Sequence, residues 1–233
     1  MTETSYPTRD LRLLLRLSAD DLALLASHLK RVALPLHKKL EGPHKLIEQI
    51  YFIESGFASV VTASTAKSTI EVGMVGCEGM TGLSVVFGAD RGPHETCMQS
   101  AGGASRIAPS RLRQAMARSR TLHNYLLLYA HAFVVQATHA VVANGRSKLE
   151  ERLARWLLMA QDRLGADDLI ITHEALSGML GVGRPGVTVA LRFLEGAGLI
   201  QIGRGIIAWH RKCARASERR RRPGGCPPAR SRR

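Results

Sequence analysis

Leucines recur at helical spacing through residues 9–31. Ser18 and Asp21 stand as S-x-x-D ahead of Leu22, Leu25 and Leu29, a helix-start pattern in which the Ser hydroxyl accepts an orphan backbone N–H. This predicts a short helical lead-in. From Val32 to Ile107 the texture changes to short apolar runs punctuated by glycine. Ile50-Tyr51-Phe52-Ile53 precedes Gly56, and Ser59-Val60-Val61 follows. Ile70-Glu71-Val72 meets Gly73, Met74-Val75 meets Gly76 and Gly79, and then come Cys97-Met98-Gln99 and Ser105-Arg106-Ile107. Many short strands with glycine at the turns predict a β-sandwich or barrel.

Helical spacing returns after Pro109. Ser110 to Arg118 reads as a short helix and Thr121 to Asn144 as a long one. The long helix has two apolar stripes. One is Leu122, Leu126, Tyr129, Phe133, Gln136 and Ala140; the other is Leu127, Ala130, Val134, Ala137 and Val141. A helix apolar on two sides is expected to be covered on both. Asn144-Gly145 predicts a stop, and Ser147 with Glu150 a capping box that starts a further helix. Leu149, Leu153, Trp156, Leu157 and Ala160 share a face of that helix, and the junction before it is a candidate hinge.

The stretch Thr172 to Ile200, THEALSGMLGVGRPGVTVALRFLEGAGLI, predicts two short helices around a tight turn. Thr172 can cap the first, and Leu176, Met179 and Leu180 form its apolar face. Gly181 ends it, and Pro185 suits the first turn of the second, where a missing N–H costs little. Val187, Leu191 and Leu194 turn inward, while Arg184, Thr188 and Arg192 share the opposite face. By pattern alone a DNA-binding helix-turn-helix and an ordinary helical hairpin fit equally well. Gln201-Ile202, Gly203-Arg204-Gly205 and Ile206 to Trp209 then read as strand, turn, strand.

The stretch resembles, without a gap, the helix-turn-helix of the Crp/Fnr family of bacterial transcription regulators. The resemblance rests on Thr172, Gly181, Arg184, Val187, Leu191, Leu194, Glu195, Leu199 and Ile200. It implies an α+β chain: a β-roll related to cyclic-nucleotide-binding domains, a long dimerisation helix and a winged helix-turn-helix. It implies guanine readout by Arg184, whereas Pro185 and Val189 replace a Glu and an Arg that read bases in the family. Thr172, Thr188, Arg192 and Arg204 are the expected phosphate contacts. Leu122, Leu126, Tyr129, Phe133 and Ala140 are the expected dimer-helix residues, with His131 and His139 at its polar edge.

Nucleotide-binding members of the family open their phosphate cassette with Gly-Glu and close it with Arg and a small hydroxyl residue. Here the opening reads Gly79-Met80-Thr81-Gly82, and His94-Glu95 stand at the closing register, with Arg91 out of place. An acidic group there repels a phosphate, so cyclic AMP is not expected to bind in the usual way. Gly79, Met80, Thr81, Gly82, His94 and Glu95 remain candidate lining for an effector pocket. No cofactor and no metal are expected, since Glu78, His94 and Glu95 lack ligand spacing.

The chain has 233 residues and a net charge of +14. Residues 211–233 hold ten basic residues and one Glu, so +9 of that charge sits in the tail and the fold is only mildly basic. The tail is expected to be disordered. It either binds phosphates nonspecifically or replaces a family-like end after a frameshift. Cys77, Cys97, Cys213 and Cys226 fit neither a zinc site nor a disulfide scaffold. The N-terminus lacks the order of a signal peptide, and no apolar run is expected to span a membrane, which makes the cytoplasm the expected location.

The expected parts are a sensor roll over 1–120, a dimer helix over 121–145, a winged helix-turn-helix over 146–210 and the tail. The expected function is sequence-specific binding of double-stranded DNA at a palindromic operator, as a homodimer, with RNA polymerase as a further candidate partner and the effector unknown. The alternative is a ligand-responsive roll with impaired DNA binding. An enzyme is not expected, since no Ser–His–Asp set, carboxylate pair or P-loop is present.

Overall fold

The computed structural model describes residues 13–65, 68–166, 168–203 and 205–209. Arg204, the tail from 211 onward and the start of the lead-in lie outside the described residues. After a 3₁₀ turn at Leu14–Arg16, α1 (Ala19–Ala26) begins where the Ser18 hydroxyl accepts the Asp21 N–H at 3.1 Å. The Asp21 carboxylate does not reciprocate locally. It accepts hydroxyl bonds from Ser119 and Thr121, tying the lead-in to a helix about a hundred residues on.

The next strands are β1 (Lys30–Leu34), β2 (Lys39–Glu41), β3 (Ile50–Ile53), β4 (Phe57–Thr65) and β5 (Ser68–Val75). A one-turn helix α2 (Leu83–Val86) separates them from β6 (Glu95–Ser100) and β7 (Gly102–Ile107). They pair antiparallel into two sheets, β1-β7-β3 and β2-β6-β4-β5. Leu34, Tyr51, Ile53, Val60, Val75 and Met98 form an apolar core from strands of both sheets. Gly73 is not the turn its sequence position suggests; it sits inside β5, opposite Val60. The reason is close packing, since a Cβ there would meet the Phe133 ring at 2.7 Å.

That ring belongs to α4 (Arg120–Arg146), reached through α3 (Pro109–Arg118). Ser119 caps α4 by accepting the Leu122 N–H at 3.1 Å. The predicted stop at Asn144-Gly145 is overturned: the helix continues to Arg146 and ends at Ser147, whose backbone is extended. Asn144 Oδ1 accepts instead from Arg152 Nε at 3.0 Å. The predicted Ser147/Glu150 capping box also moves by one residue. Helix α5 (Leu149–Leu164) starts after Lys148, whose N–H donates to Glu151 at 3.1 Å.

By length and apolar content α4 would suffice to cross a membrane, contrary to the reading that no run does. Here one side of it is pinned to the roll. Tyr129 Oη accepts from the Met80 N–H and donates to the Met80 carbonyl, both at 3.0 Å. Two turns on, the Gln136 amide pairs the same way with Met74, at 2.7 and 3.2 Å. Leu122, Leu126, Tyr129, Phe133 and Ala140, the expected dimer-helix stripe, therefore lie on the side that meets the chain's own roll and α3. The uncovered side carries Leu127, Leu128, Val134, Val135, Val141 and Val142.

The chain closes with β8 (Asp168–Ile170), α6 (His173–Leu180), α7 (Arg184–Gly196), β9 (Ile200–Ile202) and β10 (Ile206–Trp209). The strands form an antiparallel sheet in the order β8-β10-β9. A separate core joins Leu153, Trp156, Leu157, Leu176, Val187, Leu191, Leu194 and Trp209 to Phe57 and Met74 of the roll.

Candidate nucleic-acid interface

Each local signal read for the two-helix unit has its physical counterpart. The Thr172 hydroxyl accepts the Ala175 N–H at 3.1 Å, so α6 starts on a side-chain cap. Gly181 ends α6 at φ +64°, a left-handed conformation that an L side chain resists. The Ser177 hydroxyl donates to the Val182 carbonyl and closes the turn. Pro185 lies in the first turn of α7, and Val187, Ala190, Leu191 and Leu194 are buried. Beyond α7, Gly198 turns the chain at φ +68°, and the Glu195 carboxylate accepts the Ile202 N–H at 2.8 Å. That bond ties β9 to the second helix.

Burying one face of α7 leaves Arg184, Pro185, Val189, Arg192 and Phe193 on the surface. Thr172 and Arg184 both line one open groove of about 410 Å³, which Ile171, His173, Glu174 and Gly205 also line. Two helix starts and the β9–β10 hairpin thus converge. The Thr172 oxygen is occupied by the cap, but its hydrogen is available to an acceptor such as a phosphate oxygen. Arg184 offers five donors in a planar fork. Arg192 follows two turns along α7 and is exposed.

Thr188 has a different job from the one its position suggests. Its hydroxyl bonds the Arg184 carbonyl and the His173 ring nitrogen Nδ1, both at 3.1 Å. Its single hydrogen is used inside the protein, so it pins α7 to α6 and has no donor left for a phosphate. His173 had no sequence signal, because a histidine just inside a helix start is ordinarily a surface residue.

The two-helix unit is docked on the roll. The rings of Phe57 and Trp156 meet edge to face, with centroids 6.0 Å apart. Beside them, Glu71 of β5 is buried and accepts from Trp156 Nε1 at 3.0 Å and from the Ser59 hydroxyl. Burial pushes its carboxyl from 4.5 up to about 7, against the pull of those two bonds and of Arg163 and Arg155. Arg163 of α5 also pairs with Glu78 at 2.7 Å. Gly181 packs against Ile70, where a Cβ would meet Ile70 Cγ1 at 2.8 Å. A β-bulge explains why Glu71 was not legible. Val60 faces Gly73 and Val61 faces Glu71, so the extra residue Val72 breaks the alternation of faces.

The residues expected to line an effector pocket divide. Gly79 to Gly82 form the turn after β5, and Met80 and Thr81 are buried. The Thr81 hydroxyl accepts the Tyr51 N–H at 3.1 Å, and Tyr129 covers Gly79. The Gly82 N–H donates to Glu41 of β2, whose carboxyl is raised by burial. Sequence reasoning missed Glu41, which lies 41 residues away along the chain. Glu95 is instead paired with Lys39 at 2.8 Å. His94 is half-buried, with Nδ1 lacking a partner among the described residues, and desolvation lowers its pKa.

Comparison with known proteins agrees with this architecture. Residues 151–211 match the Crp-like helix-turn-helix domain. No curated protein matches the chain significantly by sequence. Among solved structures, a Crp/Fnr-family transcriptional regulator from Eubacterium rectale has 19% identity and a TM-score of 0.69, over 89% of this chain and 98% of that one. FixK2 from Bradyrhizobium japonicum has 16% identity and a TM-score of 0.68, over 81% and 96%. The c-di-GMP-responsive global regulator CLP of Xanthomonas campestris has 17% identity and a TM-score of 0.66, over 83% and 99%.

Proposed function

We propose that this chain, which carries a Crp-like helix-turn-helix domain on the Crp/Fnr fold, is a sequence-specific DNA-binding transcription regulator acting as a cytoplasmic homodimer. The observation that carries the reading is the convergence of Arg184, Thr172 and Gly205 on one open groove. Helix α7 enters the major groove, where the Arg184 fork suits the O6/N7 edge of guanine. Thr172 and Arg192 bond phosphates, which position the protein without specifying sequence.

The uncovered side of α4 supports the homodimer. Leu127, Val134 and Val141 repeat every seven residues, as do Leu128, Val135 and Val142. Leu128 and Val141 are 67% and 70% exposed. Two such seams suit a left-handed helix pair, with a twin chain as the cover. Each α7 then reaches one half-site, the two lying roughly 34 Å apart. The sensor roll (1–120), dimer helix (121–145) and winged unit (146–210) are the working parts. In the roll, the carboxylate of Glu41 at the Gly82 amide favours a role other than cradling a cyclic phosphate.

Arg184→Ala tests the reading. Preference for operator over scrambled DNA is expected to collapse while nonspecific binding persists. An unchanged preference would remove Arg184 as the base reader.

A further inference from the structure

The exposed side of α7 carries an apolar ridge that its core does not use. Pro185, Val189 and Phe193 stand at i, i+4 and i+8, so they line one strip of the helix. Val189 is 68% exposed and Phe193 60%. The inward positions are already filled by Val187, Ala190, Leu191 and Leu194. Arg184 and Arg192 lie along one side of the ridge, and both are exposed. An apolar strip bordered by two guanidinium groups fits a polyanion that presents apolar groups between its phosphates.

The chemistry of the ridge narrows what it meets there. Pro185, Val189 and Phe193 side chains neither donate nor accept hydrogen bonds. They have no means of reading N7, O6, N4 or N6 on the major-groove floor. Thymine alone offers an apolar group at that edge, its C5 methyl. Pressing Val189 against the amino group of adenine or cytosine would strip a donor of water and return no partner.

We propose that Val189 reads a thymine methyl in each half-site, with Pro185 and Phe193 closing out water on either side. The inference rests on the DNA-binding reading above and deepens it. Val189 lies five residues from Arg184, or roughly 7.5 Å along the helix axis. The thymine therefore falls within about two base pairs of the guanine that Arg184 reads, at roughly 3.4 Å per step. The recognised half-site combines a guanine with a nearby methylated pyrimidine.

The test uses full-length protein and duplexes selected by it from a randomised pool. Each thymine of the selected site is replaced in turn by deoxyuridine, which removes the methyl and nothing else. At one thymine per half-site, uracil is expected to weaken binding about three- to tenfold. 5-Methylcytosine at that position, in a C·G pair, is expected to recover part of the affinity lost by unmethylated cytosine. Val189→Ala, at an exposed position, is expected to reduce the uracil effect to less than about twofold while Arg184-dependent preference persists. A selected site whose thymines all tolerate uracil overturns the inference and leaves the DNA-binding reading standing. A uracil effect that survives Val189→Ala also overturns it. If selection returns no preferred sequence, the reading beneath it falls as well.

Discussion

Glu71→Gln is expected to flatten the pH dependence of unfolding. The wild-type carboxyl is pushed by burial from 4.5 to about 7 in the folded chain. Between those values the folded protein holds a proton that the unfolded chain has released. Wild-type stability therefore falls as pH rises through that window, and the loss is complete above about pH 7. The rise corresponds to roughly 3 kcal/mol in all, of which about 2 kcal/mol is lost between pH 5 and pH 8. Glutamine keeps an oxygen to accept from Trp156 Nε1 and Ser59 but carries no proton to release. Urea unfolding of both proteins across that range reads the difference directly. The variant should gain about 2 kcal/mol relative to wild type on going from pH 5 to pH 8. Parallel profiles would refute the claim that Glu71 is buried and protonated at the joint between roll and winged unit.

Other consequences follow from packing. Gly73→Ala should lower stability by about 1–3 kcal/mol in urea unfolding, because the new methyl meets the Phe133 ring at 2.7 Å. Leu128→Asp with Val135→Asp should convert the proposed dimer to monomer in sedimentation while the far-UV spectrum stays unchanged, since both side chains are exposed. Thr188→Val should cost about 1–2 kcal/mol of thermal stability by releasing the Arg184 carbonyl and His173, with no change in the salt slope of DNA binding.

The parts legible in the sequence are those decided by near neighbours. The Thr172 cap, the Gly181 turn and the inward triad Val187, Leu191 and Leu194 each depend on spacings of a few residues, and all three were read correctly. Thr188 was placed on the right face, but its hydroxyl is claimed by His173, fifteen residues earlier, and by its own helix. The same limit applies to Glu41 at the Gly82 amide and to Glu71 under Trp156, which meet across 41 and 85 residues. The two stripes of α4 were both visible. Their assignment depends on glycines 73 and 79, which let Phe133 and Tyr129 approach the roll. Strand β8 was missed because its pairing with β10 forms across more than thirty residues of intervening chain.

The most direct test is a salt series comparing full-length protein with residues 1–210 on duplex from the gene's upstream region and on a scrambled duplex. Nonspecific binding fades steeply with salt, whereas specific recognition keeps its preference. The account predicts that 1–210 retains the preference at the higher salt, because the proposed readers belong to the α6–α7 unit and the tail's +9 charge lies outside it. Binding by full-length protein alone, without preference, would contradict it and assign the DNA affinity to the tail.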